Sequence, residues 1–168
     1  MNEKDLTARA RRPYILMTAL ACLLYFTSYV ARLNYNASLA DIVESAVLSK
    51  SEAGIVSTAL FFSYGAGQIV SGILGDKVRP QWLILAGLIL TIACNAVFPL
   101  FSSVVPMTAV WTVNGFAQAL FWPPLLKLLT QYIPAEKFSL ACFAIVAASQ
   151  IATIVIYLLV PLVLVTLN

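Results

Sequence analysis

Trp82-Leu83-Ile84-Leu85-Ala86-Gly87-Leu88-Ile89-Leu90-Thr91-Ile92-Ala93-Cys94-Asn95-Ala96-Val97-Phe98-Pro99-Leu100-Phe101 carries no charged residue. Wound as a helix, about 20 residues cross a hydrocarbon layer of about 30 Å, whereas an irregular chain would leave its backbone polar groups unpaired in lipid. The segment therefore reads as a membrane-spanning helix. Four further apolar stretches of comparable or greater length lie on either side of it, at about 14–40, 53–75, 106–132 and 140–164. The whole chain of 168 residues is 61% hydrophobic and 10% charged, far outside the range of soluble domains. The expected fold class is an all-α membrane protein with five transmembrane helices.

The first stretch is too long for a cleaved signal peptide, its flank is poor in small residues, and more spans follow it, so it stays a span. Cys22, Cys94 and Cys142 fall inside apolar stretches without metal-ligand spacing and read as small core or lipid-facing residues. Short loops rich in Lys and Arg stay on the cytoplasmic side. Lys4, Arg9, Arg11, Arg12, Lys77, Arg79, Lys127 and Lys137 all fall in regions sharing one side, while the other side has only Lys50, beside Asp41, Glu44 and Glu52. The amino terminus is expected in the cytoplasm, behind a polar basic tail at 1–12, and Asn168 outside. This topology accounts for the net charge of +3, and no basic domain suggests a nucleic-acid partner.

The spans differ in polarity. Residues 82–101 are nearly all aliphatic, with Thr91 and Asn95 as exceptions, and are expected to be peripheral. The others carry polar stripes: Tyr25, Ser28, Tyr29, Arg32 and Asn36; Ser57, Tyr64, Gln68 and Ser71; Asn114 and Gln118; and Ser149, Gln150, Thr153 and Tyr157. Either these groups line a cavity, as polar groups within hydrocarbon tend to, or they are interhelical hydrogen bonds worth about 0.6 kcal/mol each. Gly67, Ser71 and Gly75 form a small-residue face suited to close helix packing. Arg32 is the most informative residue. It either snorkels to the outer interface or points inward, where its natural partner is an anion, because its fork of donors matches carboxylate or phosphate.

Gly72-Ile73-Leu74-Gly75-Asp76-Lys77-Val78-Arg79-Pro80 follows the second stretch. It resembles the loop motif of the major facilitator superfamily, in which an Asp and basic residues engage neighbouring helix ends and help hold the outward-open state. The resemblance implies gating roles for Asp76, Lys77 and Arg79, although Arg79 stands where the family usually has a later Gly. A plain interfacial charge cluster is the alternative. Tyr25-x-x-Ser28-Tyr29-x-x-Arg32-Leu33-Asn34-Tyr35 and Asn114-Gly115-Phe116-Ala117-Gln118-Ala119-Leu120-Phe121-Trp122-Pro123-Pro124 are similar to the first and fourth helices of the organophosphate:phosphate antiporter family. That resemblance implies a partial amino-terminal six-helix bundle over 13–168, an arginine anchor below which tyrosines lie, and no cofactor or metal. The expected substrate-binding set is Arg32, Tyr25, Tyr29, Tyr64, Gln68, Asn114 and Gln118.

Leu33, Gln68 and Ser149 stand where phosphate-exchanging members carry Lys, Lys and His, and the chain has no His at all. The basic cluster of this half is thus reduced to Arg32, which leaves a sugar acid or other carboxylate as open as a sugar phosphate. The expected function is transport of a small organic anion by alternating access in the cell (plasma or inner) membrane, in contact with lipid. The chain is read as an incomplete half whose partner is the missing carboxy-terminal half. A non-transporting or regulatory membrane protein on the same bundle is the alternative. An enzyme is disfavoured, since there is no Ser-His pair and Asp41 and Asp76 lie toward opposite membrane faces.

Overall fold

A computed structural model describes the backbone of residues 3–167 and the side chains of residues 14–166. The side chains of the expected tail at 1–12, and Asn168, lie outside the described residues. Among the described residues seven helices follow in order: α1 (Glu3–Ala37), α2 (Leu39–Glu44), α3 (Lys50–Lys77), α4 (Pro80–Val97), α5 (Val104–Ala119), α6 (Trp122–Tyr132) and α7 (Ala135–Leu167), with one 3-10 turn at Phe98–Leu100. They make five spans long and apolar enough to cross a membrane: Tyr14–Glu44, Lys50–Lys77, Pro80–Leu100, Val104–Tyr132 and Ala135–Thr166. The protein is therefore a multi-pass membrane protein. Each expected stretch lies within one of these spans apart from a residue or so at its end.

Local chemistry sets the ends. Ser49 accepts the Glu52 amide N–H while the Glu52 carboxylate accepts the Ser49 N–H at 2.8 Å, a reciprocal cap that starts α3. Pro80 opens α4, where its missing N–H is no loss. At Ser38 the chain steps from α1 to α2, the Ser38 N–H being shared between the Asn34 and Tyr35 carbonyls.

α5 lies along α3, α7 along α1, and α4 against α5. Small residues permit these approaches. A Cβ on Gly67 would sit 2.7 Å from that of Ala119, and one on Gly115 would run into the Leu60 carbonyl and the Ser63 hydroxyl. Two apolar clusters fill the bundle, one around Ala21, Phe121, Leu125 and Ile145, the other around Tyr35, Val56, Leu60 and Trp111.

Two expectations are corrected. α4 is not merely peripheral: Trp82, Leu85, Ile89 and Ile92 are exposed, but Gly87, Thr91 and Cys94 are buried. A period of 3.6 residues groups Thr91 with Gly87 and Asn95 on the packed side. The stripe on α7 also splits. Ser149 is buried and Thr153 half-buried, each donating its hydroxyl to a carbonyl of its own helix, whereas Gln150 and Tyr157 are exposed. One residue along a helix is a rotation of about 100°, which carries Gln150 away from the Ser149 face.

Candidate functional site

The first four spans have their midpoints at about residues 29, 64, 90 and 118. Arg32, Tyr64, Thr91 and Gln118 therefore all lie near the middles of their spans. The fifth span has its midpoint near Gln150.

Arg32 lies on α1 with only 7% of its surface exposed, and it points inward rather than snorkelling. Its Nη2 donates to Gln118 Oε1 at 3.2 Å. The guanidinium carbon sits 4.2 Å from the centre of the Tyr64 ring and 4.9 Å from that of Tyr29, cation–π distances at which each ring face offers partial negative charge. Arg32 Nε is buried without a partner among the described residues. Two turns from Arg32 toward the amino terminus, Tyr25 stacks edge-on against Trp122, with centroids 5.1 Å apart, and lies 6.2 Å from Tyr29. The structure thus brings together Arg32, Tyr25, Tyr29, Tyr64 and Gln118.

Asn114 lies one turn before Gln118 on α5. It is fully buried, and neither its amide nitrogen nor its oxygen has a partner. Gln68, one turn past Tyr64, likewise has a buried, unpartnered Nε2. Buried amides without partners are costly and normally rare.

Gln118 stands at the end of α5, where Leu120 and Phe121 turn the chain before Trp122, Pro123 and Pro124 start α6. The prolines have no N–H for the carbonyls of Ala119 and Leu120, four residues back, so the helix cannot continue. The break thus follows directly from the Trp-Pro-Pro sequence.

Sequence reasoning passed over two residues. Gln118 Nε2 donates to Thr91 Oγ1 at 3.4 Å, and Asn95 Nδ2 donates to the Thr91 carbonyl at 2.9 Å. Asn34 Nδ2 in turn donates to Asn95 Oδ1 at 2.7 Å. Asn34, Ser38, Asn95, Phe98 and Trp111 help line a cavity of about 440 Å³ on the α2 side of the site. Thr91 and Asn95 were visible as the polar interruptions of their span, yet their own span is otherwise so apolar that they read as incidental.

At the other end of α3, Asp76 pairs with Lys127 of α6 at 3.5 Å, and the same ammonium donates to the Gly75 carbonyl at 2.6 Å. Asp76, one of the expected gating residues, thus engages a neighbouring helix through Lys127, while Lys77 and Arg79 are exposed and form no ion pair among the described residues. The Asp76 side chain is 85% exposed, and exposed pairs contribute only about 0–1 kcal/mol. The carbonyl bond adds a cation at the negative end of the α3 dipole.

The sequence profile described as Major Facilitator Superfamily matches residues 21–168. A probable hexose phosphate transport protein of Chlamydia pneumoniae is 32% identical over 114 residues, covering 67% of this chain and 25% of the relative. Membrane sensor protein UhpC of Escherichia coli (strain K12) is 32% identical over 130 residues, 77% of this chain and 29% of the relative. A glycerol-3-phosphate transporter of Bacillus subtilis (strain 168) is 30% identical over 104 residues, 60% of this chain and 23% of the relative. The chain thus spans roughly a quarter of the length of these relatives. No solved structure matches the chain significantly. These relatives bear out the resemblance to organophosphate:phosphate antiporters, and with five apolar spans and a profile match from Ala21 onward the chain belongs to the Major Facilitator Superfamily.

Proposed function

We propose that this chain forms one wall of an alternating-access pathway for a small organic anion in the cell membrane, with its amino terminus in the cytoplasm and a second bundle closing the site from the opposite side. The observation that carries this reading is Arg32: a guanidinium buried near the middle of its span whose described partners, Gln118, Tyr29 and Tyr64, are all neutral. A buried cation without a counter-charge is strongly unfavourable, and a bound carboxylate or phosphate supplies that charge in the bidentate geometry a guanidinium prefers. The names of the relatives favour a sugar phosphate. Leu33, Gln68 and Ser149 at positions that are basic in phosphate exchangers keep a sugar acid beside it. Asn114 and Gln68, with buried unpartnered amides, are suited to the hydroxyls of such a substrate. Asp76 and Lys127 hold the cytoplasmic ends of α3 and α6 together in the outward-open state.

Arg32→Lys tests the reading in the whole protein reconstituted in liposomes, because lysine keeps the charge and loses the fork. Losing a hydrogen bond to a charged group costs about 1.5–3 kcal/mol, so exchange of labelled anion should weaken by roughly ten- to a hundredfold in half-saturating concentration. Wild-type exchange in Arg32→Lys at matched protein would sink the anion-anchor role.

A second reading follows from the relative named as a membrane sensor, which aligns with a larger share of this chain than the hexose phosphate relative does. On that reading the site binds the anion to report it rather than to move it. Saturable binding without any counterflow would favour the sensor, and counterflow would exclude it.

A further inference from the structure

We propose that Thr91 on α4 is a positioning residue that holds the Gln118 amide in place beside Arg32 and so sets how strongly Arg32 holds an anion. The inference rests on the anion-site reading above and adds to it a residue from a helix outside the expected site.

Gln118 offers an acceptor oxygen and a donor nitrogen, and Arg32 offers only donors. The carbonyl oxygen faces Arg32 at 3.2 Å and the nitrogen faces the Thr91 hydroxyl at 3.4 Å, a long hydrogen bond. Both groups are buried, Thr91 at 4% and Gln118 at 1% exposure. With its nitrogen occupied by Thr91, the amide is held as an acceptor toward the guanidinium and leaves the buried, unpartnered Nε of Arg32 to meet an anion. A flipped amide would set its donor against the Arg32 donors and lose that contact, although the Thr91 hydroxyl, donor and acceptor alike, could still hold the side chain. The Thr91 backbone is tied into the same network: Asn95 Nδ2 donates to the Thr91 carbonyl, and Asn34 of α1, two residues from Arg32, donates to Asn95. α4 is thereby tied to the same stretch of α1 that carries the guanidinium. The whole chain of contacts runs through side chains that no charge advertises.

The test is equilibrium binding of glucose 6-phosphate and of gluconate to the whole protein in detergent, each variant being checked for monodispersity. Thr91→Val keeps shape and loses the acceptor, and should weaken binding about two- to tenfold, the range expected for one hydrogen bond. Thr91→Ser restores most of it. In a Gln118→Ala background, adding Thr91→Val should have no further effect, because the two residues act in series. If Thr91→Val does not elute as a folded species, Thr91→Ala takes its place in the same comparisons. Wild-type binding in the valine variant, failure of serine to rescue, or a full additional loss on top of Gln118→Ala would each overturn the role of Thr91. Arg32→Lys, measured alongside, separates the two ideas. Wild-type binding in that variant, or no binding of either probe by the wild type, removes the anion site and this inference with it.

Discussion

Gly115 and Arg32 occupy their places for opposite reasons, one because it has no side chain and the other because its side chain is so demanding. At Gly115 the α3 and α5 backbones approach until a Cβ would meet the Leu60 carbonyl and the Ser63 hydroxyl, whereas a Cβ at Gly54 meets nothing within 4 Å. Overpacking a tight contact costs about 1–3 kcal/mol. Gly115→Ala is therefore expected to lower the melting temperature of the detergent-solubilised protein, and Gly54→Ala to leave it unchanged or raise it, since alanine favours helix. Equal melting temperatures for the two variants would show that α3 and α5 are not in backbone contact there. At this scale the sequence was legible where a residue is conspicuous on its own. Arg32 and Gln118 interrupt apolar spans at similar depth, and their pairing could be anticipated. Lys127 could not be matched to Asp76, because more than fifty positions separate them and only the side-by-side arrangement of α3 and α6 brings their ends together.

Elements were legible in proportion to how much of their character is local. Length and scarcity of charge announce each span, the Ser49 to Glu52 spacing announces the start of α3, and Pro123-Pro124 announces the break between α5 and α6. Which face of a span turns inward is set by neighbours, and there the reading of α4 and of Gln150 on α7 went astray. The break leads to a prediction at this scale. Proline in a helix interior is about 3 kcal/mol less favourable than alanine, so replacing Pro123 and Pro124 together by alanine should stabilise a continuous helix and raise the melting temperature. It should also displace Gln118 from Arg32, so that anion exchange falls although the protein is more stable. A variant with higher stability and undiminished exchange would mean that the break does not serve the site.

Across the whole molecule, the ends of the spans sort by charge. Glu44, at the end of α2, and Lys77, at the end of α3, are both exposed, and the 28 residues of α3 separate these levels by about 42 Å. With the Lys and Arg side cytoplasmic, a membrane-impermeant maleimide applied to sealed cells should label Glu44→Cys and spare Lys77→Cys until the membrane is opened. Labelling of both in sealed cells, or of Lys77→Cys alone, would overturn the orientation. The same long dimension gives the interruption after Gln118 a mechanical meaning. α6 is an arm of 11 residues, about 16 Å long, for which the break after Gln118 would serve as a pivot, with Lys127 partway along it. In the proposed cycle, a tilt of about 10° at that pivot moves Lys127, about 8 Å along the arm, by roughly 1.4 Å, enough to take its 3.5 Å contact with Asp76 beyond ion-pair distance, while Gln118 at the fulcrum stays in register with Arg32. On the proposed alternating-access reading, span 4 works as a lever that moves the inner doorway without shaking the hand that holds the anion.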